Sequence, residues 1–213
     1  MLIAFAGTDG SGKSTQVKEV KNRLLKEGYK VQILDKWDIL KSEKFPECKF
    51  IDTSLNDLRV NIAEMQGISR ALFLFWSITI TLTKDQLENE DTIYLLDGYW
   101  MKHAASEIEY GCDERWIELT CKQFPKADLT FYFDVPPEIA LKRKPELTPY
   151  ECGLAMDLNK TKFINHQTNL RNRLLNWADT YRWLKISSLE PKEKITNFVV
   201  EKISQVTREK NLI

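Results

Sequence analysis

Residues Gly7 to Ser14 read Gly-Thr-Asp-Gly-Ser-Gly-Lys-Ser, between the apolar run Leu2 to Ala6 and a segment whose Val17, Val20, Leu24 and Leu25 recur at helical spacing. A strand, a glycine-rich turn and a helix start in this order make a phosphate-binding loop. Glycines let backbone N–H groups turn inward on an anion, Lys13 adds a point charge, and the Ser14 hydroxyl is placed to complete the shell of a phosphate-bound Mg²⁺. The positive end of the following helix acts on the same anion. The loop residues Gly7, Thr8, Asp9, Gly10, Ser11, Gly12, Lys13, Ser14 and Thr15 are therefore the expected nucleoside triphosphate site.

The chain has 213 residues, 43% of them hydrophobic, which is enough for one domain over 1–213 and short for two. Lys plus Arg and Asp plus Glu are both 31, so no global field draws the chain to nucleic acid or to an anionic membrane. Phosphate recognition must be local. The longest apolar stretch, Ala71 to Leu82, is interrupted by Ser77, Thr79 and Thr81 and falls short of the roughly 20 residues of a membrane span. It is a core segment, and its periodicity fits a helix or a strand. Cys48, Cys112, Cys121 and Cys152 are scattered without a Cys-x-x-Cys pair, and the N-terminus carries no charged-then-apolar signal, which fits a cytoplasmic location. His103 and His166 stand apart from other metal-type ligands and receive no metal role.

Runs rich in β-branched and aromatic residues recur at Leu2 to Ala6, Lys30 to Asp35, Thr92 to Asp97, Leu129 to Asp134 and Trp183 to Ser187, separated by segments of helical spacing. The alternation predicts an α/β fold, a five-stranded parallel sheet with helices on both faces. Helices are predicted from the loop to Gly28, from Pro137 to Lys144, from Lys160 to Tyr181 and from Pro191 to Thr207; Lys144 to Leu158, with Pro145, Pro149 and Gly153, reads as a mobile connection. Three runs end in aspartate, at Asp35, Asp97 and Asp134, on the edge where such sheets bind ligands. Asp97 follows the continuous run Ile93-Tyr94-Leu95-Leu96 and is the strongest metal candidate beside Ser14, with a helix N-cap as its alternative role.

The loop Gly7 to Gln16, with an acid at its third position, resembles the thymidylate kinase family. So does Ala127 to Arg143, which contains Asp134-Val135-Pro136-Pro137 and is similar to the family's late strand, turn and helix leading into a lid. The resemblance implies a three-layer P-loop NTPase fold with a small lid at about 144–158. It also implies Mg²⁺-dependent transfer of the ATP γ-phosphoryl group to deoxythymidine monophosphate, by a homodimer. On its motifs Asp9, Lys13, Asp97 and Arg143 become the catalytic candidates, and Arg59, Phe73, Tyr99, Lys102 and Tyr150 the acceptor-binding candidates. Phe73 matches the aromatic that stacks on the acceptor base, and Tyr150-Glu151 matches a lid pair.

The departures lie on the acceptor side. Asp97-Gly98-Tyr99 stands where the family has Asp-Arg-Tyr, Ser77 replaces the base-reading arginine four residues beyond Phe73, and Pro149 replaces a lid arginine. The family's Arg-Glu-Pro-Gly-Gly-Thr stretch has no counterpart in Lys36 to Leu40. One arginine among reacting phosphates is worth roughly 10³ to 10⁵ in rate, so other cations are required: Lys102, one turn beyond Gly98 on a helix, together with Lys36, Arg143 and Lys144. The same losses leave open a nucleoside or small hydroxyl metabolite as acceptor, or a nucleotide-binding regulatory protein with weak turnover.

Overall fold

The computed structural model describes residues 1–83, 87, 89, 91–155 and 157–211; Met156, inside the expected lid, lies outside them. Five parallel strands form one sheet in the order β2-β3-β1-β4-β5: β1 (Leu2–Gly7), β2 (Lys30–Leu34), β3 (Thr92–Leu96), β4 (Leu129–Asp134) and β5 (Leu184–Ser187). The central strand pairs Leu2 with Tyr94 on one side and Ile3 with Leu129 on the other. Every β1 residue is buried, and the strand divides its side chains by parity. Leu2, Ala4 and Ala6 enter one apolar layer, whereas Ile3 and Phe5 enter another.

Eight helices cover the two faces among the described residues. On the Ile3 and Phe5 face lie α1 (Lys13–Lys26) and α8 (Lys192–Asn211), which contribute Val17, Val20, Leu24, Ile195, Val199 and Ile203. On the Ala4 face lie α3 (Ile68–Thr83), α4 (Trp100–Glu109), α5 (Glu114–Cys121) and α7 (Lys160–Thr180). The short α6 (Pro137–Arg143) follows β4, and α2 (Leu55–Glu64) packs with 3₁₀ turns at Lys36–Leu40 and Pro46–Cys48 over a satellite core containing Ile39, Phe45, Leu58, Ile62 and Leu74. No helix among the described residues is long and apolar enough to cross a membrane.

The segment Ala71 to Leu82, open between two states by periodicity, is helical. Its hydroxyls turn back on the helix itself: Ser77 donates to the Leu74 carbonyl at 2.8 Å, Thr79 to Phe75 at 3.0 Å and Thr81 to Ile78 at 2.8 Å. That satisfaction allows alternating polar residues to lie in an apolar layer without strand pairing. Lys144 to Leu158, expected as a mobile connection, contains one short regular element. A 3₁₀ turn at Pro149–Cys152 is closed by a capping box in which the Thr148 backbone N–H donates to Glu151 Oε2 at 3.1 Å. The predicted end of α1 holds: Gly28 takes φ 88° and the Tyr29 N–H reaches the Leu24 carbonyl at 3.0 Å.

Two loop glycines separate conformational need from close packing. Gly10 (φ 76°) has the Ala140 carbonyl oxygen of α6 2.8 Å from where a Cβ would lie, whereas Gly12 (φ 89°) has nothing within 4 Å. Gly12→Ala carries only the left-handed cost of about 1–2 kcal/mol; Gly10→Ala adds a backbone clash and is expected to lose about 1–2 kcal/mol more. Thermal unfolding should place Gly10→Ala several degrees below Gly12→Ala at roughly 2–4 °C per kcal/mol, and equal melting temperatures would contradict the packing of α6 on the loop.

Candidate active site

The start of α1 is built to receive an anion. Gly12, in the left-handed region, occupies the N-cap; no side chain caps the helix and no acidic residue lies in its first turn. The backbone donors that a cap would satisfy therefore stay available to a ligand. Lys13 is folded back, donating to the carbonyls of Gly7 at 3.0 Å and Thr8 at 2.7 Å and to Ser11 Oγ at 3.1 Å. Desolvation, opposed by Asp9, brings its ammonium down to about 8. Thr8 and Ser11 are buried in the loop, whereas Ser14 and Thr15 are exposed.

The sheet edge delivers Asp97 as expected. Ser14 Oγ donates to Asp97 Oδ1 at 2.9 Å, bringing together two residues 83 apart in sequence. A hydroxyl and a carboxylate meeting at the mouth of a phosphate loop suit a hard cation that keeps several waters and shares phosphate oxygens, as Mg²⁺ does. The other two strand-end aspartates are engaged elsewhere. Asp35 accepts from the Trp37 N–H at 3.0 Å, and Asp134 takes a bidentate pair from Arg171 at 2.7 and 2.8 Å.

Asp9 is the centre of a second cluster beside the loop. Lys102 Nζ donates to both of its carboxylate oxygens, at 2.8 and 3.1 Å, from the first turn of α4. The α7 side chain of Gln167 accepts from the Asp9 N–H at 3.0 Å and donates to Asp9 Oδ2 at 3.3 Å. Burial alone would raise this carboxyl, but Lys102, Lys13 and Lys144 hold it well below the usual carboxylate range. Lys36, in the 3₁₀ turn after β2, lies 4.4 Å above the Trp37 ring. Desolvation and the neighbouring Lys102 bring it down to about 8, against the opposing pull of Asp35, Asp97 and Asp9. Lys13, Lys36, Lys102 and Lys144 thus act on one small region bounded by Asp9 and Asp97.

Not every expected residue joins this cluster. Tyr99, an acceptor-binding candidate, is turned into the core, where its hydroxyl donates to the Pro125 carbonyl at 2.7 Å and its ring packs with Trp100 and Phe124. Gly98, at φ 77°, makes the turn that sends Tyr99 inward. Arg143, a catalytic candidate, is exposed and donates to the Ser188 carbonyl at 2.8 Å; its neighbour Lys144 is the one whose charge is felt at Asp9. Arg59 is exposed, with its guanidinium 5.8 Å from the Trp37 ring. Phe73 is half-buried, 5.9 Å from the Trp76 ring, and packs on the satellite core together with Tyr150. The Tyr150 ring lies beneath Lys102, whose Nζ is 5.4 Å from its centroid.

Sequence reasoning missed Gln167, Arg70, Glu107 and Tyr110. One signal was available: Lys102, His103, Ser106, Glu107 and Tyr110 repeat at helical spacing and give α4 a polar stripe although most of its residues are buried. No spacing rule marks Gln167, which meets Asp9 across 158 residues.

Residues 5–199 match the family model described as thymidylate kinase. A probable thymidylate kinase from Sulfurisphaera tokodaii is 26% identical over 211 residues, 97% of either chain. Another probable thymidylate kinase, from Archaeoglobus fulgidus, is 30% identical over 163 residues, 71% of this chain and 74% of its own. The thymidylate kinase of Buchnera aphidicola is 30% identical over 193 residues, with 84% and 82% covered.

Because Lys13 and Lys36 both lie near 8, each is charged below that pH and loses its charge as pH rises through it. A bound triphosphate favours the charged form, so proton linkage is expected to weaken ATP binding roughly tenfold at one unit above the free pKa of such a group. Calorimetric titration between pH 7 and 9.5 checks this; a flat affinity would remove Lys13 from the anion site.

Proposed function

The chain belongs to the thymidylate kinase family, and from that premise we propose that Lys102 replaces the arginine missing at Gly98. The activity is that of the family: an ATP-dependent phosphotransferase that passes the γ-phosphoryl group to dTMP. The observation that carries the proposal is Lys102 Nζ bonded to both oxygens of Asp9 beside the phosphate loop. Gly98 lies before the helix, which begins at Trp100 after the extended Tyr99, and Lys102 sits in the first turn of α4, where a long side chain leans back toward the strand end.

Phosphoryl transfer asks a protein mainly for positioning and for charge aimed at the transferred oxygens. The donor side supplies the uncapped start of α1, the loop amides and Lys13, which exchanges its internal carbonyl partners for phosphate oxygens when ATP enters. Ser14 and Asp97 would hold Mg²⁺, which when bound neutralises phosphate charge. On the acceptor side Asp9 fixes Lys102 until a phosphate competes for it, and Lys36 and Lys144 add to the field. Phe73 and Tyr150, both half-buried beside this cluster, are the proposed contacts for the base and sugar.

Glycine serves at 98 because the backbone there is left-handed, with open space where a side chain would start. Restoring the family arginine would cost about 1–2 kcal/mol in backbone strain.

Two measurements test this reading. Lys102→Ala is expected to lower kcat on dTMP by roughly 10²-fold or more, the scale of losing one aimed donor, with Lys102→Arg keeping most of the rate. Wild-type kcat in the alanine variant would overturn the assignment. Asp97→Asn should raise the Mg²⁺ concentration needed for half-maximal rate severalfold or more, because a neutral amide lacks the carboxylate charge; an unchanged requirement would leave Asp97 only its bond to Ser14.

A further inference from the structure

Behind the acceptor side lies an ion pair that the phosphate chemistry does not use. Arg70 of α3 and Glu107 of α4 are 2% and 0% exposed, with Arg70 Nε 2.9 and 3.0 Å from the two carboxylate oxygens. Arg70 Nη1 also donates to the Met65 carbonyl, and its guanidinium lies 4.8 Å from the centre of the Tyr110 ring. Packed apolar residues often serve stability as well as a buried ion pair does. Stability alone therefore gives no reason for placing charges here, and the geometry around Tyr150 gives one.

Tyr150 is gripped at both ends. Its hydroxyl donates to Glu107 Oε1 at 3.2 Å, and its backbone carbonyl accepts from the Tyr110 hydroxyl at 2.6 Å. Tyr110 has a single hydroxyl proton, so its 2.9 Å contact with His166 Nε2 runs with the imidazole as donor. The two rings stack at 5.1 Å, and burial keeps His166 neutral with a pKa near 4. The Tyr150 ring supports Lys102, Lys102 holds Asp9, Asp9 bonds Gln167, and Gln167 Nε2 returns to the lid by donating to the Glu151 carbonyl at 3.0 Å. The circuit closes on the residue next to Tyr150.

We propose that Arg70, Glu107 and Tyr110 are positioning residues that seat Tyr150, and with it the 148–153 segment, against Lys102. The position of the lid and the position of the acceptor-side cation are then set together. The pair makes this specific: Arg70 fixes both carboxylate oxygens of Glu107, and Glu107 accepts the Tyr150 hydroxyl with the Tyr150 ring lying under Lys102. The proposal rests on Lys102 acting at the acceptor phosphate, while the seating of the lid stands on its own geometry.

The test uses the full chain and two variants. Arg70→Met/Glu107→Leu removes both charges together, so neither is left buried and unpaired; Tyr150→Phe removes only the hydroxyl and keeps the ring. Hydrogen exchange at the Glu151 and Leu154 amides, which bond the Thr148 and Pro149 carbonyls, is measured without acceptor, beside melting curves and the KM values for ATP and dTMP. The double variant is expected to exchange these amides roughly tenfold faster and to raise the KM for dTMP by a similar factor, the scale of one or two lost hydrogen bonds. The KM for ATP should stay unchanged. Tyr150→Phe should move the same two readouts about threefold, and it decides the matter if the double variant fails to fold. A lower melting temperature with exchange and dTMP KM unchanged would make the pair merely structural and overturn the proposal. If Lys102→Ala is kinetically silent while exchange still accelerates, the Lys102 assignment fails and the seating of the lid survives.

Discussion

Lys13, Lys36 and Lys102 gather around Asp9 and Asp97 at one edge of the sheet, with Asp35 acting on Lys36 and Glu151 paired to Lys144, and the remainder of the site follows from that cluster. Lys13 and Lys36 are brought down to about 8, with desolvation as the first cause, while Lys102, Lys13 and Lys144 hold Asp9 ionised against its burial. The uncapped start of α1 adds its dipole to the cluster. The fold builds it by ending β1 in the loop and by placing Asp97 after β3 and Lys102 in the first turn of α4, so that two distant stretches of the chain deliver charge to one place.

The turn before α4 decides which of its first residues reach the phosphate loop. A left-handed turn at Gly98 sends Tyr99 into the core and starts α4 so that its second and third residues, Met101 and Lys102, point to opposite environments. Met101 is buried in the apolar layer, and Lys102 reaches the loop. The missing arginines at Ser77 and Pro149 have different outcomes. Ser77 is fully buried and bonded to its own helix, so it offers nothing to a ligand. Pro149 opens the 3₁₀ turn that carries Tyr150 to its place.

The sheet, its five strands and the phosphate loop were legible in the sequence because they rest on local patterns: buried runs, glycine spacing and helix periodicity. The three strand-end aspartates mark the limit of that legibility. Asp35, Asp97 and Asp134 look alike in sequence, yet one caps a turn, one meets Ser14 and one pairs with Arg171. What separates Asp97 and Asp134 is the partner that arrives from elsewhere in the chain, and no local pattern encodes it. Tyr99 and Arg143 were placed by motif and displaced by geometry, since the carbonyls of Pro125 and Ser188 claimed their polar groups. Glu107 was marked only by the polar stripe it shares on α4, and Gln167 carried no local mark at all, because it acts across a tertiary contact.

The most direct test of Lys102 as the acceptor-phosphate cation compares the affinities of dTMP and deoxythymidine in the wild type and in Lys102→Ala by calorimetry. The two ligands differ only in the phosphate, so the cycle isolates the contact between that group and Lys102. The expected result is a loss of roughly tenfold or more for dTMP, the scale of a charge-assisted hydrogen bond, with deoxythymidine nearly unaffected. Equal losses for both ligands would contradict the account, placing Lys102 at the base or in the support of the lid and leaving the phosphate to another cation.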